Sequence, residues 1–281
     1  ILILLILCNS LFSQETFPVN GVKSTFSPIY AFTNSHIIIS AEKEIVIGTL
    51  LIQDDKILAI DSLVIIPEGS IVKDMKGDFI YPSFIDLYSN YGMPTPKKGE
   101  YNYRPQYQSN KEGAYHWNEA IHPEIMSSQK FTSETKMAKD YLNSGFGVVL
   151  THKQDGISRG TATLVSLSNQ KEQKSILNAD MASVFSFRKG VSSQRYPTSL
   201  MGSIALLKQL FLDADWYKSE NKTINLSFSA FNNQLNLPHI FISSLVTDYN
   251  RIYQISDEFE IDFIVKGNGK EYQRIEEIKS Y

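Results

Sequence analysis

From Thr135 onward the chain alternates between two hydrophobic periods, and this alternation restricts its fold more than any other feature. Apolar, β-branched runs suited to buried strands occur at Gly147-Val148-Val149-Leu150-Thr151-His152, Thr161 to Leu167, His239 to Ser243 and Ile261 to Val265. Between them lie stretches with helical spacing. Thr135 to Asn143 is closed by Gly145, and Pro197 to Lys218 carries Leu200, Ile204, Leu207, Leu210, Phe211 and Ala214 with Thr198 or Ser199 as its cap. Asp248 to Phe259 and Glu271 to Lys279 complete the set. Strands and helices in turn imply a parallel sheet with right-handed crossovers.

The first part of the chain has a different rhythm. From about Tyr30 to Tyr81 short strands are divided by turns: His36 to Ser40, then Gly48 to Gln53 and Lys56 to Ile60 as a hairpin with Asp54-Asp55 in its turn. Ile65-Ile66-Pro67-Glu68-Gly69-Ser70, Ile71 to Asp74 and Lys76-Gly77-Asp78 follow. Residues 93–133 shift to Pro, Lys, Tyr, Asn and Gln without a clean period, and read as an insertion, either structural or a lid at the mouth of a barrel.

The two parts meet in Phe79-Ile80-Tyr81-Pro82-Ser83-Phe84-Ile85-Asp86-Leu87-Tyr88-Ser89-Asn90-Tyr91-Gly92. This junction, with the roughly fifty residues of hairpin and turn signals before it, resembles the amidohydrolase superfamily, in particular its imidazolonepropionase-like metal-dependent hydrolases. The resemblance implies an α/β fold: a small β-sandwich over residues 14–81 followed by an incomplete TIM-like (β/α) barrel over residues 82–281, interrupted at about 93–133. From Ser83 there are about 200 residues, about forty of them insertion, against ~250 for a typical eightfold barrel. Four or five barrel strands can be counted.

In that family the first barrel strand ends in His-x-His. Side chains two apart on a strand point the same way, so two imidazoles can share a divalent ion, and Zn²⁺ with an open position lowers the pKa of its water to about 7. Here the two positions hold Tyr88 and Asn90. If His239 to Ser243 and Ile261 to Val265 are the later ligand strands, the expected His positions hold Ser243 or Ser244, and Lys266 or Gly267. Asp86 matches the family and is expected to hold the strand-end turn through hydrogen bonds. The resemblance thus implies amidohydrolase architecture with an empty ligand set and no metal cofactor in this segment. Zn or a similar ion would belong to a downstream amidohydrolase module of the same chain, since the sequence is most similar to the N-terminal, ligand-poor module of long, exported, two-module bacterial amidohydrolases.

Five histidines are present: His36, His116, His122, His152 and His239. His152 ends a barrel strand on the side where such folds place their sites. It is read either as a hydrogen-bonded strand-end residue or, with Asp86, Tyr88, Asn90 and Asp155, as the lining of a polar pocket. His116 and His122 have no metal spacing and are expected at the surface. Gly156-Ile157-Ser158-Arg159-Gly160-Thr161 could cradle an anion through Arg159, but it lacks a Gly-Lys-Ser/Thr ending and a dinucleotide spacing. It is read as a turn feeding the Thr161 strand. No Gly-x-Ser-x-Gly elbow supports a serine triad.

Composition sets the outer bounds. With 42% hydrophobic and 20% charged residues among 281, the chain is globular; a net charge of -3 and no dense Lys/Arg run argue against nucleic acid as a partner. Ile1 to Ser13 has the apolar run and small-residue exit of a signal peptide, giving an exported, periplasmic or extracellular protein with no transmembrane segment. No Met precedes Ile1, so the sequence reads as starting inside its frame, as a fragment. Cys8 is the single cysteine, which removes zinc ribbons and Cys nucleophiles from the remainder. Two functions stay open: a catalytically degenerate scaffold module of a hydrolase acting on C–N bonds of a small-molecule or peptide-like substrate, and a small-ligand binding protein on an amidohydrolase barrel. An active hydrolase with an unusual site around His152 is a third, lesser reading.

Overall fold

The computed structural model describes residues 27–98, 107–168, 170–219 and 223–281. The apolar leader expected over residues 1–13, with Cys8, lies outside them. The chain divides into two compact units between Pro82 and Ser83.

The first unit is built on β1 (Ile29–Ser40), which pairs antiparallel with β2 (Lys43–Gln53), itself antiparallel to β3 (Lys56–Asp61). The other edge of β1 is shared end to end. β4 (Ile71–Asp74) runs parallel to its first half and β5 (Phe79–Ile80) to its second. Asp54-Asp55 form the β2–β3 turn, with Asp54 left-handed at φ 54°. Where two layers were expected, the described residues make one five-stranded sheet. The physical reason lies in β1. Twelve residues long and irregular at three places, it spans the pairing that two shorter strands would otherwise divide.

The second unit holds a six-stranded sheet in the order β11-β10-β9-β8-β7-β6. Its strands are β6 (Phe84–Ser89), β7 (Phe146–Thr151), β8 (Ser158–Ser166), β9 (Ile176–Ser186), β10 (His239–Ile242) and β11 (Phe263–Lys266). The longer helices are α1 (Thr135–Asn143), α2 (Leu200–Ser219), α3 (Leu226–Gln234) and α4 (Asp248–Phe259). Ser199 caps α2, its Oγ accepting from Gly202 N at 3.2 Å, so this helix starts at Leu200 rather than at Pro197.

The sheet is mixed, which corrects the all-parallel expectation. β6, β7, β9, β10 and β11 run one way, and β8 is antiparallel to both of its neighbours. Two of the longer elements escaped the sequence reading. The first half of β9 is largely exposed and carries Asn178 and Asp180, so its pattern resembles a loop; α3 is rich in Ser and Asn. The reversal of β8 has a direct consequence, because its start lies at the same rim as the C-terminal ends of the other five strands.

One face of the sheet packs beneath the helices. Phe185, Phe187 and Phe241 from the strands meet Leu206, Leu207, Leu210, Phe211 and Ala214 of α2, Phe231 of α3, and Ile252 and Ile255 of α4. The other face carries Leu150, Ala162, Ala182, Val184, Ile240 and Ile242, with Tyr88 packed against them. In a flat sheet β6 and β11 would stand about 24 Å apart, five spacings of ~4.8 Å. Instead Lys266 Nζ of β11 lies 4.6 Å from the ring centre of Tyr88 on β6, so the sheet curls towards a barrel.

The later part of the insertion belongs to the core. Ala120 and Ile121 are fully buried, and Ile157 N donates to Ala120 O, His122 N to Ser158 O and Thr161 N to Ile125 O. Those bonds tie the insertion to the start of β8. His116 is buried, not at the surface, with its Nδ1 accepting from Asn118 N at 3.0 Å and its ring stacked on Trp117; His122 is largely buried beside Glu124.

Candidate functional site

The rim formed by the strand ends gathers most of the residues singled out above. Asp86 Oδ1 accepts from Tyr88 N at 2.9 Å, as expected of a residue holding the strand-end turn, while Oδ2 accepts from Tyr141 OH at 3.4 Å. Ser89, between them, joins the same chain of bonds. Its Oγ lies 2.9 Å from Tyr141 OH and accepts from Tyr91 N at 3.0 Å. These contacts fix the end of β6 and aim Tyr88 at the curled face. Asn90 is exposed, and its carbonyl accepts from Met93 N.

His152 follows β7 and is 2% exposed. Its backbone N donates to Ser89 O at 3.2 Å, continuing the pairing of β6 with β7, and its ring meets that of Tyr88 at 5.3 Å. The Nδ1 atom lies 3.0 Å from Lys153 O. A carbonyl only accepts, so Nδ1 carries the proton. Burial pushes the imidazole down to about 4, with the Lys153 carbonyl opposing and the Arg159 charge adding to the fall. At neutral pH His152 is therefore uncharged and Nε2 is a lone pair.

Asp155 is buried and already engaged. Oδ1 accepts from Val191 N at 2.8 Å, and Oδ2 pairs with Lys153 Nζ at 3.3 Å. The nearby chain fits closely around it, since a Cβ at Gly190 would fall 1.8 Å from Oδ1.

The residue that changes the character of the rim is Arg159, on the reversed β8. It is 5% exposed. Its Nε donates to Gly156 O at 3.1 Å, and the Tyr88 side chain lies close enough for its oxygen to act on the guanidinium. Burial lowers its pKa, and the Tyr88 oxygen and Asp155 counter that. Arg188, at the end of β9, lies close enough for its charge to act on Arg159, and its Nε donates to Ser244 Oγ at 2.8 Å. Lys266 sits over the Tyr88 ring. The rim is thus cationic: Arg159 lies near Tyr88 and His152, Lys266 sits over the Tyr88 ring and Arg188 is within reach of Arg159, while the carboxylate of Asp155 is taken by Lys153.

The rings of Tyr88 and His152 meet, while Asp155 is held by Lys153 and Val191 N. Asp86 supports Tyr88 from the side, and Asn90 stands apart. Arg159, Arg188 and Lys266 were missed as a group. Gly156 to Thr161 carried the signal for Arg159, but a turn reading places that side chain on a surface loop, and only the reversal of β8 turns it into the rim. Among the described residues no group of three or more His, Cys, Asp or Glu side chains is arranged to hold a metal ion. No helix among them is long and apolar enough to cross a membrane.

No protein-family model matches the sequence, and no curated protein matches it. Among solved structures the chain is similar to an amidohydrolase from Thermotoga maritima MSB8, with a TM-score of 0.71 at 16% identity, over 89% of this chain and 67% of that one. A likeness at that identity establishes the fold. The chain has an amidohydrolase-like scaffold: a strand-rich first unit and a curled, mixed α/β second unit.

Proposed function

We propose that this chain is a metal-free, catalytically degenerate amidohydrolase-like module, exported, that serves as scaffold or gate within a longer hydrolase acting on C–N bonds of a small-molecule or peptide-like substrate. The observation that carries the reading is the pair of cations beside Tyr88. Where the family's first-strand imidazoles would hold a divalent ion, a phenol lies beside Arg159 and beneath Lys266.

The side chains present do not fit such an ion. At ~5 Å and an effective dielectric of ~20, each pair of like unit charges costs about 3 kcal/mol, so a divalent ion at the rim would be opposed by Arg159 and Lys266 together. The donors there offer it one neutral imidazole lone pair and a phenol. Hydroxide generation at neutral pH has no source in that set. Downstream partners are consistent with the exposed apolar side chains Phe84, Ile85 and Leu87 on β6 and Ile264 on β11. A further module of the same chain that closed the barrel would cover them.

The test is hydrolysis of a dihydropyrimidine and of a dipeptide by the purified chain with added Zn²⁺. The reading expects no turnover above solvent. Turnover abolished by His152→Gln would reject it.

A further inference from the structure

Two side-chain atoms buried at the rim lack a partner among the described residues: Arg159 Nη1 and His152 Nε2. They are opposite in kind. Arg159 can only donate, and His152, with its proton held on Nδ1 by the Lys153 carbonyl, can only accept at Nε2. Leaving such groups unpaired costs about 1–3 kcal/mol each, more for a charged one, which a ligand would recover. Arg188 and Lys266 add to Arg159, and the acid at hand, Asp155, is occupied by Lys153 and Val191 N.

We propose that this rim binds a small α-hydroxy carboxylate. The carboxylate takes Arg159 Nη1, the unpartnered nitrogen of a planar guanidinium of the kind that favours carboxylates. The neighbouring hydroxyl donates to His152 Nε2. Arg188 and Lys266, both exposed, supply the field that draws the anion in. The assignment rests on the metal-free reading, because a divalent ion would occupy the same space and be repelled by the same three cations.

The probe is glycolate, with acetate as the analogue lacking the hydroxyl, titrated calorimetrically into the whole chain at pH 7 and low salt, with metal content measured on the same sample. Saturable glycolate binding is expected, about tenfold tighter than acetate, the value of one hydrogen bond. His152→Phe should bring glycolate to the level of acetate while leaving acetate unchanged. Arg159→Gln should remove binding of both. Because Arg159 is buried and its loss could unsettle the fold, Lys266→Met, at an exposed position, is the second variant, expected to weaken both ligands severalfold with far-UV circular dichroism unchanged. No saturable glycolate binding, equal binding of glycolate and acetate, or tighter binding of inorganic phosphate than of glycolate would each overturn the assignment. Loss of the anion site in a metal-free sample leaves the metal-free reading standing, whereas stoichiometric zinc in the sample removes that reading directly.

Discussion

Gly160→Ala perturbs the contact that sets Arg159 in place. Gly160 lies in β8 at φ 83°, a left-handed conformation that costs a residue with a Cβ roughly 1–2 kcal/mol. A Cβ there would stand 1.9 Å from Ile125 O and 3.0 Å from His122 O. Relief requires the insertion to move away from β8 by more than an ångström, which breaks the 2.9 Å bond from Thr161 N to Ile125 O, worth about 1 kcal/mol. Together these give about 2–3 kcal/mol. Gly269→Ala is the control, since Gly269 has φ 85° and nothing within 4 Å of its added Cβ; it should lose the conformational part alone. The assay is urea unfolding followed by tryptophan fluorescence. Both tryptophans, Trp117 and Trp216, lie in the second unit, so the signal reports that unit. At a slope of about 2–3 kcal/mol/M, Gly160→Ala should lower the midpoint by about 1 M, and clearly further than Gly269→Ala. Equal midpoints for the two variants would refute the close packing of the insertion on β8.

Acid should weaken the second unit in two steps. Burial lowers both His116 and His152 from 6.5 to about 4, so between those values the unfolded chain binds more protons and stability falls as the pH drops, by up to about 3 kcal/mol for each. Glu124 is raised by burial, but the nearby His122, the Lys111 charge and hydrogen bonds from Lys111 and Ser227 outweigh that and hold it at about 2; its contribution is present above 4.5 and lost as the pH falls towards 2. Urea midpoints at pH 7, 5 and 3 should therefore decline twice, and Glu124→Gln should lessen the second decline while leaving the first unchanged. Tyr141→Phe removes the hydroxyl that links Ser89 to Asp86 and should cost about 1–2 kcal/mol, read as a lower urea midpoint with the slope unchanged.

The parts of the fold that sequence revealed are those where one period dominates. α4 was placed at its observed bounds because Ile252 and Ile255 stand on a face opposite charged residues, and the Asp54-Asp55 turn was marked by strands on both sides. β9 was not legible. Half of it is exposed and half is buried on both faces, so neither alternation nor a continuous apolar run describes it. Missing β9 also hid the direction of β8, since a strand's direction depends on its partners and leaves no mark in its own residues. The same limit applies to the rim. Tyr88, His152 and Asp155 could be named because each ends or follows a predicted strand. Arg159, Arg188 and Lys266 come from three strands far apart in sequence, and only the curl of the sheet gathers their charges.

The metal-free reading meets its most direct test in zinc titration of the purified chain after chelation, followed by elemental analysis of the desalted protein. The account predicts zinc far below one ion per chain and no change on Tyr88→Phe. One tightly held ion per chain, lost on substitution of His152, would contradict it.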